Sequence, residues 1–369
     1  MESQIKNNFI PEGPEKNLNS NLFVPNNHSK HEIGWNPVFE SYQEQIRNVL
    51  SEGYDLKDIQ EMRQVDEWEK MSNNFRIKIG GTDSIQEYLL RKHIFENTLE
   101  AIENINKITD FLRLQNIPVP KTILAQDGKK FFIAGDSFWQ LFEFIAGSHF
   151  KGDRNELESA ARGIAKLHKA LAILPVNIVS SQRKFPWNVE QIKLIVNTAQ
   201  NQAGPLNELI TAWASIILDN VRLQEDLYNR AVDCIRQPIH HDLHPLNTIF
   251  NDGQLKAIID FGDVRNDFRA MDVGNALHRF VRQYVVHEAR PWQQTLPLGI
   301  NIFIDNYQRI NPLTRSELTL MPDFIIDELL GKFRFIVSGE FFQPDIRLAE
   351  VKKILTLMEE TREIKKYLS

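Results

Sequence analysis

The chain has 369 residues, a formal net charge of −6 and an isoelectric point near 6.0. Its proportions of hydrophobic (42%) and charged (25%) residues are ordinary for a globular protein, and the acidic balance argues against a nucleic-acid binder that relies on overall positive charge. The single cysteine, Cys234, rules out an intrachain disulfide, no apolar run approaches the ~18 residues of a membrane span, and the N-terminus has no signal-peptide core. We therefore expect a cytoplasmic protein with no nucleic-acid or membrane partner.

The first 37 residues differ in composition from the rest of the chain. They include eight asparagines and four prolines, and they show no helical or alternating pattern. This composition predicts a loose arm over residues 1–37. The alternative is that Phe23, Val24 and Trp35 dock on the body of the protein.

Residues 38–145 are predicted to form a small lobe that contains both helices and strands. Apolar residues at four-residue spacing indicate helices, and alternation of apolar and charged residues indicates strands. In chain order the patterns predict a helix over 38–50, strands over 75–79 and 88–90, a helix over 98–114, and strands over 130–134 and 138–144.

Residues 146–369 are predicted to form a larger lobe that is mainly helical. In chain order the patterns predict helices over 157–174, 192–202 and 206–232, a β-hairpin over 248–259 and further helices beyond Asp272. The fold class is therefore α+β with two lobes, and the cleft between two such lobes is a common ligand site.

The densest polar stretch of the sequence surrounds this hairpin. Asn247 leads into the first hairpin strand and Asp260 follows the second, so the hairpin brings an amide oxygen and a carboxylate together. Such hard oxygen ligands suit Mg²⁺, which takes further ligands from water and phosphates. Asp242 lies one loop away, where it can hydrogen-bond a hydroxyl and accept its proton. These groups are what phosphoryl transfer requires.

The spacing of this stretch resembles a known family. His240-x-Asp242-x-x-x-x-Asn247, followed by Asp260-Phe261-Gly262, resembles the aminoglycoside phosphotransferase/choline kinase family, the small-molecule branch of the protein-kinase-like fold. The resemblance implies a bilobal fold and ATP- and Mg²⁺-dependent phosphorylation of a hydroxyl on a small molecule. By position, it implies that Asp242 is the catalytic base, that Asn247 and Asp260 bind Mg²⁺, and that His240 supports the loop. His241 stands where the family usually has glycine.

The first lobe carries weaker parts of the same resemblance. Residues 72–77, which include Asn73, resemble the nucleotide loop as it enters its strand. Residues 88–92 resemble the strand that supplies a cation to the nucleotide phosphates. Position favours Arg91 and chemistry also allows Lys92, but neighbours on a strand face opposite sides, so only one points inward. The resemblance implies Glu103 as the partner of that cation.

The end of the first lobe resembles the hinge on which adenine is bound, with backbone groups around Glu143 and Ile145. Residues 90–105 and 139–145 are also similar to N-acetylhexosamine kinases. The helices after Asp263 mix acidic and basic residues, which does not favour a polycationic acceptor. We therefore rank a sugar or an amino alcohol above an aminoglycoside as the acceptor.

The polar loop also admits a second interpretation, a metal cluster of hydrolase type. Zinc and di-metal sites need several converging imidazoles and carboxylates. The loop offers His240, His241, Asp242 and His244, but no second group of such residues has matching spacing. Phosphoryl transfer is therefore the preferred interpretation.

Other polar residues have structural interpretations beside functional ones. Asp272 is expected to cap a helix or brace a loop, and His168 to be a satisfied helix histidine. Asp263 is either a third acidic group near the metal or a cap. Arg279 and Arg282 lie one helical turn apart. A solvated face is the preferred interpretation for them, and contact with an anionic substrate is the alternative.

Two further classes of function compete with a small-molecule kinase. A regulatory module that binds nucleotide without catalysis is disfavoured by the intact set of Asp242, Asn247 and Asp260. A kinase acting on a protein is disfavoured because no clear activation segment follows Asp260.

Overall fold

The computed structural model describes residues 22–24, 33–65, 73–81, 84–94, 98–175, 179, 185–288, 290–339 and 343–368. The elements of the first lobe are β1 (Trp35–Pro37), α1 (Glu40–Asn48) with a π-helical turn at Val49–Gly53, β2 (Ile59–Val65), β3 (Asn73–Gly80), β4 (Ile85–Lys92), α2 (Leu99–Leu114), β5 (Thr122–Ile123), β6 (Phe132–Ala134) and β7 (Ser137–Glu143). The helices and strands that the sequence predicts for this lobe are all present.

The strands of the first lobe form one antiparallel sheet in the order β1-β2-β3-β4-β7-β5, with β6 also paired to β7. Alternate residues of a strand face opposite sides of the sheet. Phe75, Ile77 and Leu90 are buried on one face, where they share a core with Ile46 and Leu50 from α1 and the turn after it. The opposite face carries charged side chains, among them Arg91 and the ion pair of Arg76 with Glu87.

The elements of the second lobe are α3 (Arg154–Leu171), α4 (Val189–Gln200), α5 (Pro205–Ala212), α6 (Ala214–Gln224), α7 (Leu227–Arg230), β8 (Arg236–Ile239), β9 (Thr248–Asn251), β10 (Gln254–Ile258), β11 (Arg265–Phe268), α8 (Arg269–His287), α9 (Trp292–Gln308), α10 (Arg315–Ser338) and α11 (Pro344–Lys365). Strands β9 and β10 form a hairpin, and β11 pairs with β8 in a second two-stranded sheet. In the ranges given above, no helix is both long and apolar enough to cross a membrane. The predicted α+β fold of two lobes is confirmed.

Two features of the second lobe differ from the sequence prediction. The single helix expected over 206–232 is wrong, because three helices (α5, α6 and α7) occupy this segment. Trp213 ends α5 and also precedes α6, so no proline or glycine marks the break. The pairing of β8 with β11 was not predicted, because these four-residue strands show no alternation of apolar and polar residues.

The described part of the N-terminal arm is docked. Leu22 and Phe23 are buried, and the backbone N–H of Phe23 donates to Oε1 of Glu360 over 2.9 Å. Arg282 donates to the carbonyl of Val24 over 2.9 Å, and Trp35 lies in β1 at the sheet edge. The docking alternative therefore holds for these residues. The remaining part of the predicted loose arm lies outside the described residues.

Candidate active site

The hairpin of β9 and β10 brings the chain segments of two predicted metal ligands together at its open end. Its turn has positive φ at Asp252 (52°) and Gly253 (69°), as a two-residue type I′ turn requires. Thr248 pairs with Ile258, and the N–H of Ile259 donates to the carbonyl of Asn247 over 3.0 Å. The open end of the hairpin therefore holds Asn247 next to the chain that leads into Asp260.

Asp242 and Asn247 are joined directly. The Nδ2 of Asn247 donates to the carbonyl oxygen of Asp242 over 2.9 Å and to its Oδ2 over 3.2 Å. Because Nδ2 is held by the loop, Oδ1 of Asn247 is the atom left to bind a cation. The Asp242 side chain is 38% exposed, so its carboxylate is accessible to a small molecule.

The electrostatic surroundings of Asp242 favour its ionised form. Burial raises the pKa of this carboxyl, but the hydrogen bond and charge of His244, with Nε2 3.4 Å from Oδ2, and the charge of Lys332 lower the pKa by more than burial raises it. The net effect holds the pKa of Asp242 well below its ordinary value. Asp242 is thus an anion at neutral pH, the state in which a carboxylate can orient a hydroxyl and accept its proton.

His240 acts on the loop and not on a ligand. Its ring is fully buried, Nε2 lies 3.0 Å from the carbonyl of Ile259, and Nδ1 lies 3.4 Å from the N–H of Asp242. A carbonyl only accepts, so Nε2 carries the proton and Nδ1 accepts from Asp242. His240 therefore ties Asp242 to the strand that precedes Asp260, which is a positioning role.

Asp272 anchors the backbone of the same loop. It lies in the first turn of α8 and is fully buried. Its carboxylate accepts from the N–H groups of His240 (2.8 Å) and His241 (3.0 Å), and it lies 3.0 Å from Nε2 of His168. His241 has φ of 71°, a region that favours glycine, so these bonds hold a strained residue in place. Asp272 is a brace, and His168 is satisfied as expected.

A contact across the cleft joins the two lobes at Asp260. The Nη2 of Arg91 on β4 lies 3.2 Å from Oδ1 of Asp260, whose side chain is 40% exposed. Lys92, the next residue of the strand, faces the opposite side and donates to Oε1 of Gln45 over 3.3 Å. The alternative that Lys92 points into the cleft is therefore wrong, and the alternation of strand β4 is the reason.

The remaining predicted site residues lie in the first lobe. Asn73 begins β3 and pairs in register with Lys92. Glu103 is exposed on α2 and forms no ion pair with any described residue, because Ile102 and Asn106 take the inward face of the helix. The prediction that Glu103 pairs with the strand cation is thus wrong.

The predicted hinge follows the end of β7. The carboxylate of Glu143 accepts from the N–H of Lys121 over 3.0 Å, and Glu143 itself is exposed. Ile145 lies in the connection between the lobes, and its backbone N–H has no hydrogen-bond partner among the residues that the structure describes. A free backbone donor at this place is what an adenine ring would need.

The donor chemistry of the site fits magnesium better than zinc. Within the described part of the chain, no three His, Cys, Asp or Glu side chains converge as metal ligands. The metal-cluster interpretation of the histidine-rich loop is therefore wrong for these residues. Asn247 and Asp260 supply an amide oxygen and a carboxylate, a small set of hard ligands that leaves room for water and phosphate oxygens.

The comparison with known protein families agrees with this geometry. Residues 68–299 match the model of the phosphotransferase enzyme family, which is more than half of the chain. The chain belongs to this family. The predicted family is therefore confirmed, and so is the prediction of a phosphotransferase at the level of the family.

Two curated relatives are homoserine kinases. The one from Zymomonas mobilis is 26% identical over 196 residues, which cover 52% of this chain and 58% of the relative. The chain thus spans little more than half the length of that relative. The one from Rhodospirillum rubrum is 24% identical over 291 residues, which cover 77% of this chain and 82% of the relative.

A solved structure shows the same fold. The crystal structure of spectinomycin phosphotransferase in complex with ADP and spectinomycin superimposes with a TM-score of 0.64 at 13% identity, covering 87% of this chain and 98% of that chain. At this identity the likeness establishes the shared bilobal fold.

Proposed function

We propose that this protein transfers the γ-phosphoryl group of ATP to a hydroxyl of a small amino alcohol, with Mg²⁺ as the metal. The observation that carries the proposal is the joint placement of Asp242, Asn247 and Asp260 at the open end of one hairpin, with Arg91 reaching Asp260 across the cleft. Family membership supports phosphoryl transfer.

In the proposed nucleotide site the two lobes have separate tasks. The backbone of Glu143 and Ile145 would bind adenine, the start of β3 at Asn73 would cover the phosphates, and Arg91 would neutralise part of their charge. Asn247 Oδ1 and the carboxylate of Asp260 would hold Mg²⁺, which, when bound, offsets charge that develops on the transferred group. Arg91 and Asp260 already form an ion pair at 3.2 Å, so nucleotide binding would exchange this contact for contacts with metal and phosphate.

In the proposed acceptor site Asp242 orients the attacking hydroxyl and receives its proton. The two bonds from Nδ2 of Asn247 and the tie through His240 fix the loop before substrate arrives. Preorganisation of this kind lowers the barrier because little rearrangement remains for the reaction itself.

The two homoserine kinases support an amino alcohol as the acceptor class. An N-acetylhexosamine remains the second candidate, because segments of the first lobe resemble kinases of such sugars. A test is Mg-ATP-dependent ADP release with separate pools of amino alcohols, sugars and aminoglycosides. We expect release with the amino alcohol pool, and nucleotide binding without release from any pool would instead indicate a regulatory module.

Neighbouring residues of β4 provide a matched pair for the phosphate contact. Arg91→Met is expected to raise the KM for ATP at least tenfold, because the loss of one charge-assisted hydrogen bond has about this effect on affinity. Lys92→Met should leave that KM near the wild-type value, because Lys92 lies beneath Gln45 on the far face of the sheet. Steady-state kinetics at saturating acceptor measures both, and equal KM values in the two variants would contradict the role of Arg91.

Metal dependence tests the role of Asp260. Asp260→Asn is expected to raise the Mg²⁺ concentration for half-maximal ADP release by about tenfold or more, because a carboxylate ligand is lost. Asp263→Asn is the control, since the Asp263 carboxylate lies 3.6 Å from Nη2 of Arg265. A Mg²⁺ titration that shifts for Asp263→Asn and not for Asp260→Asn would reassign the ligand.

A further inference from the structure

One face of helix α8 runs along the catalytic loop. Residues at three- and four-residue spacing share a face of a helix, and on α8 these are Asp272, Asn275, Arg279 and Arg282. Asp272 braces the loop, Asn275 donates to the buried carboxylate of Glu328 on α10, and Arg282 donates to Glu360 on α11 over 2.9 Å. Three of these four side chains therefore have fixed protein partners.

Arg279 is the exception on this face. It is partly buried, and it makes no hydrogen bond or ion pair with any residue in the described ranges. Burial and the nearby charge of Arg282 lower its pKa, while the charges of Asp242 and Glu328 act in the opposite direction. Arg279 thus lies on the helix face that carries Asp272 and Asn275, within electrostatic reach of the predicted base.

Two lysines near Arg279 are already neutralised by their own helices. Lys332 lies 2.5 Å from Glu328 on α10, and Lys353 lies 3.3 Å from Glu350 on α11. The charge of Lys332 acts on Asp242, and the charge of Arg279 acts on Lys353, so the three cations share one region. Arg279 is the member of this group without a carboxylate in contact among the described residues.

We propose that Arg279 binds a carboxylate of the acceptor, so that the substrate class is a hydroxyl-bearing carboxylate such as a hydroxy amino acid. This inference rests on the proposed function and specifies its acceptor. The solvated face predicted for Arg279 and Arg282 is replaced by two different roles. Arg282 stabilises the fold through Glu360, and Arg279 faces the acceptor.

The physical reason is the cost of a partly buried cation without a partner. Transfer of a guanidinium out of water is favourable only when an anion replaces the lost hydration. The planar guanidinium can donate two parallel hydrogen bonds to the two oxygens of a carboxylate. An acceptor held in this way at one end presents its hydroxyl to Asp242 at the other. An acceptor that carries only positive charge would be repelled by Arg279.

Binding of acceptor in the absence of turnover tests this proposal separately from catalysis. We would use calorimetry to measure how tightly the full chain, with Mg²⁺ and AMP-PNP, binds two acceptors. The acceptors are L-homoserine and 3-aminopropan-1-ol, which lacks the carboxylate. The wild type should bind L-homoserine more tightly than 3-aminopropan-1-ol. Arg279→Gln should weaken binding of L-homoserine by about 10- to 150-fold, the range for a lost charge-assisted hydrogen bond, and should not weaken binding of 3-aminopropan-1-ol, whose positive charge Arg279 repels.

Two more variants make the result decisive. Arg279→Lys keeps the charge without the planar fork and should recover part of the affinity for L-homoserine. Arg290→Gln removes an exposed arginine beyond the end of α8 and should change nothing. Equal affinity of wild type and Arg279→Gln for L-homoserine, or failure of the wild type to bind it, would overturn the inference. So would a loss of AMP-PNP affinity with unchanged binding of L-homoserine, because Arg279 would then serve phosphate.

The two proposals fail in different ways. If L-homoserine binds through Arg279 and no phosphate is transferred to any acceptor, the kinase function is wrong while the carboxylate subsite stands. If phosphate is transferred and the Arg279→Gln variant keeps its affinity for L-homoserine, the kinase function stands and the subsite is wrong.

Discussion

Asp242→Asn is expected to lower kcat about 10³-fold and to leave the affinity for Mg-ATP close to that of the wild type. The substitution keeps the size of the side chain and an oxygen that can accept from Nδ2 of Asn247, now at 3.2 Å. It removes the charge that orients the hydroxyl and the site that receives its proton. Single-turnover kinetics with a saturating acceptor, together with a nucleotide titration, separates the chemical step from binding.

Asp252→Asn is the matched control for that experiment. Asp252 is exposed at the hairpin turn with φ of 52°, a conformation that asparagine also tolerates, so fold and kcat should both be retained. A kcat of Asp242→Asn within a few-fold of the control would remove Asp242 from the mechanism, since a general base contributes about 10²-fold or more.

Asp272→Ala is expected to destabilise the protein by about 3–5 kcal/mol, the range for removing one partner from a buried charged network. The variant leaves the N–H groups of His240 and His241 without their acceptor and His168 without its carboxylate partner. His241 would then lose the bond that holds its backbone at φ of 71°. Urea unfolding measures the change in free energy of unfolding.

Asp305→Ala serves as the control, because Asp305 is an exposed carboxylate on α9. The pH dependence gives a second readout. Burial raises the pKa of Asp272, but the hydrogen bond and charge of His168 leave it below its ordinary value. Its contribution to stability is therefore present above the pKa of the unfolded state and is lost as pH falls through the pKa of the folded state. Equal unfolding free energies for Asp272→Ala and Asp305→Ala would contradict the bracing role.

The grouping of Asp242, Asn247 and Asp260 was accessible from sequence because these residues lie close together in the chain. Asn247 and Asp260 are separated by one tight hairpin, whose Asn-Asp-Gly turn is a strong local signal. For the cation of β4, the sequence left a choice between Arg91 and Lys92. Alternation along a strand indicates that these neighbours face opposite sides of the sheet, but it does not indicate which side faces the cleft. The contact with Asp260 settles the direction.

Other parts of the structure depend on contacts that have no local signal. The break at Trp213 interrupts a continuous apolar pattern, and the packing of α5 and α6 against other helices decides it. The surroundings of Arg279 arise from α8, α10 and α11 together. The spacing of Arg279 and Arg282 along α8 does not reveal the other two helices, and it therefore indicated a solvated face. Glu103 has the charge expected for an ion-pair partner, but the register of α2 turns it outward.

Phosphorus NMR of the reaction products tests the central claim most directly. The protein would be incubated with Mg-ATP and L-homoserine, and Asp242→Asn would be treated in parallel. The account predicts a new phosphomonoester signal on the acceptor hydroxyl, matched by ADP, for the wild type and none above background for the variant. A phosphomonoester formed equally by both proteins, or ADP and inorganic phosphate without any phosphomonoester across the acceptor pools, would contradict it.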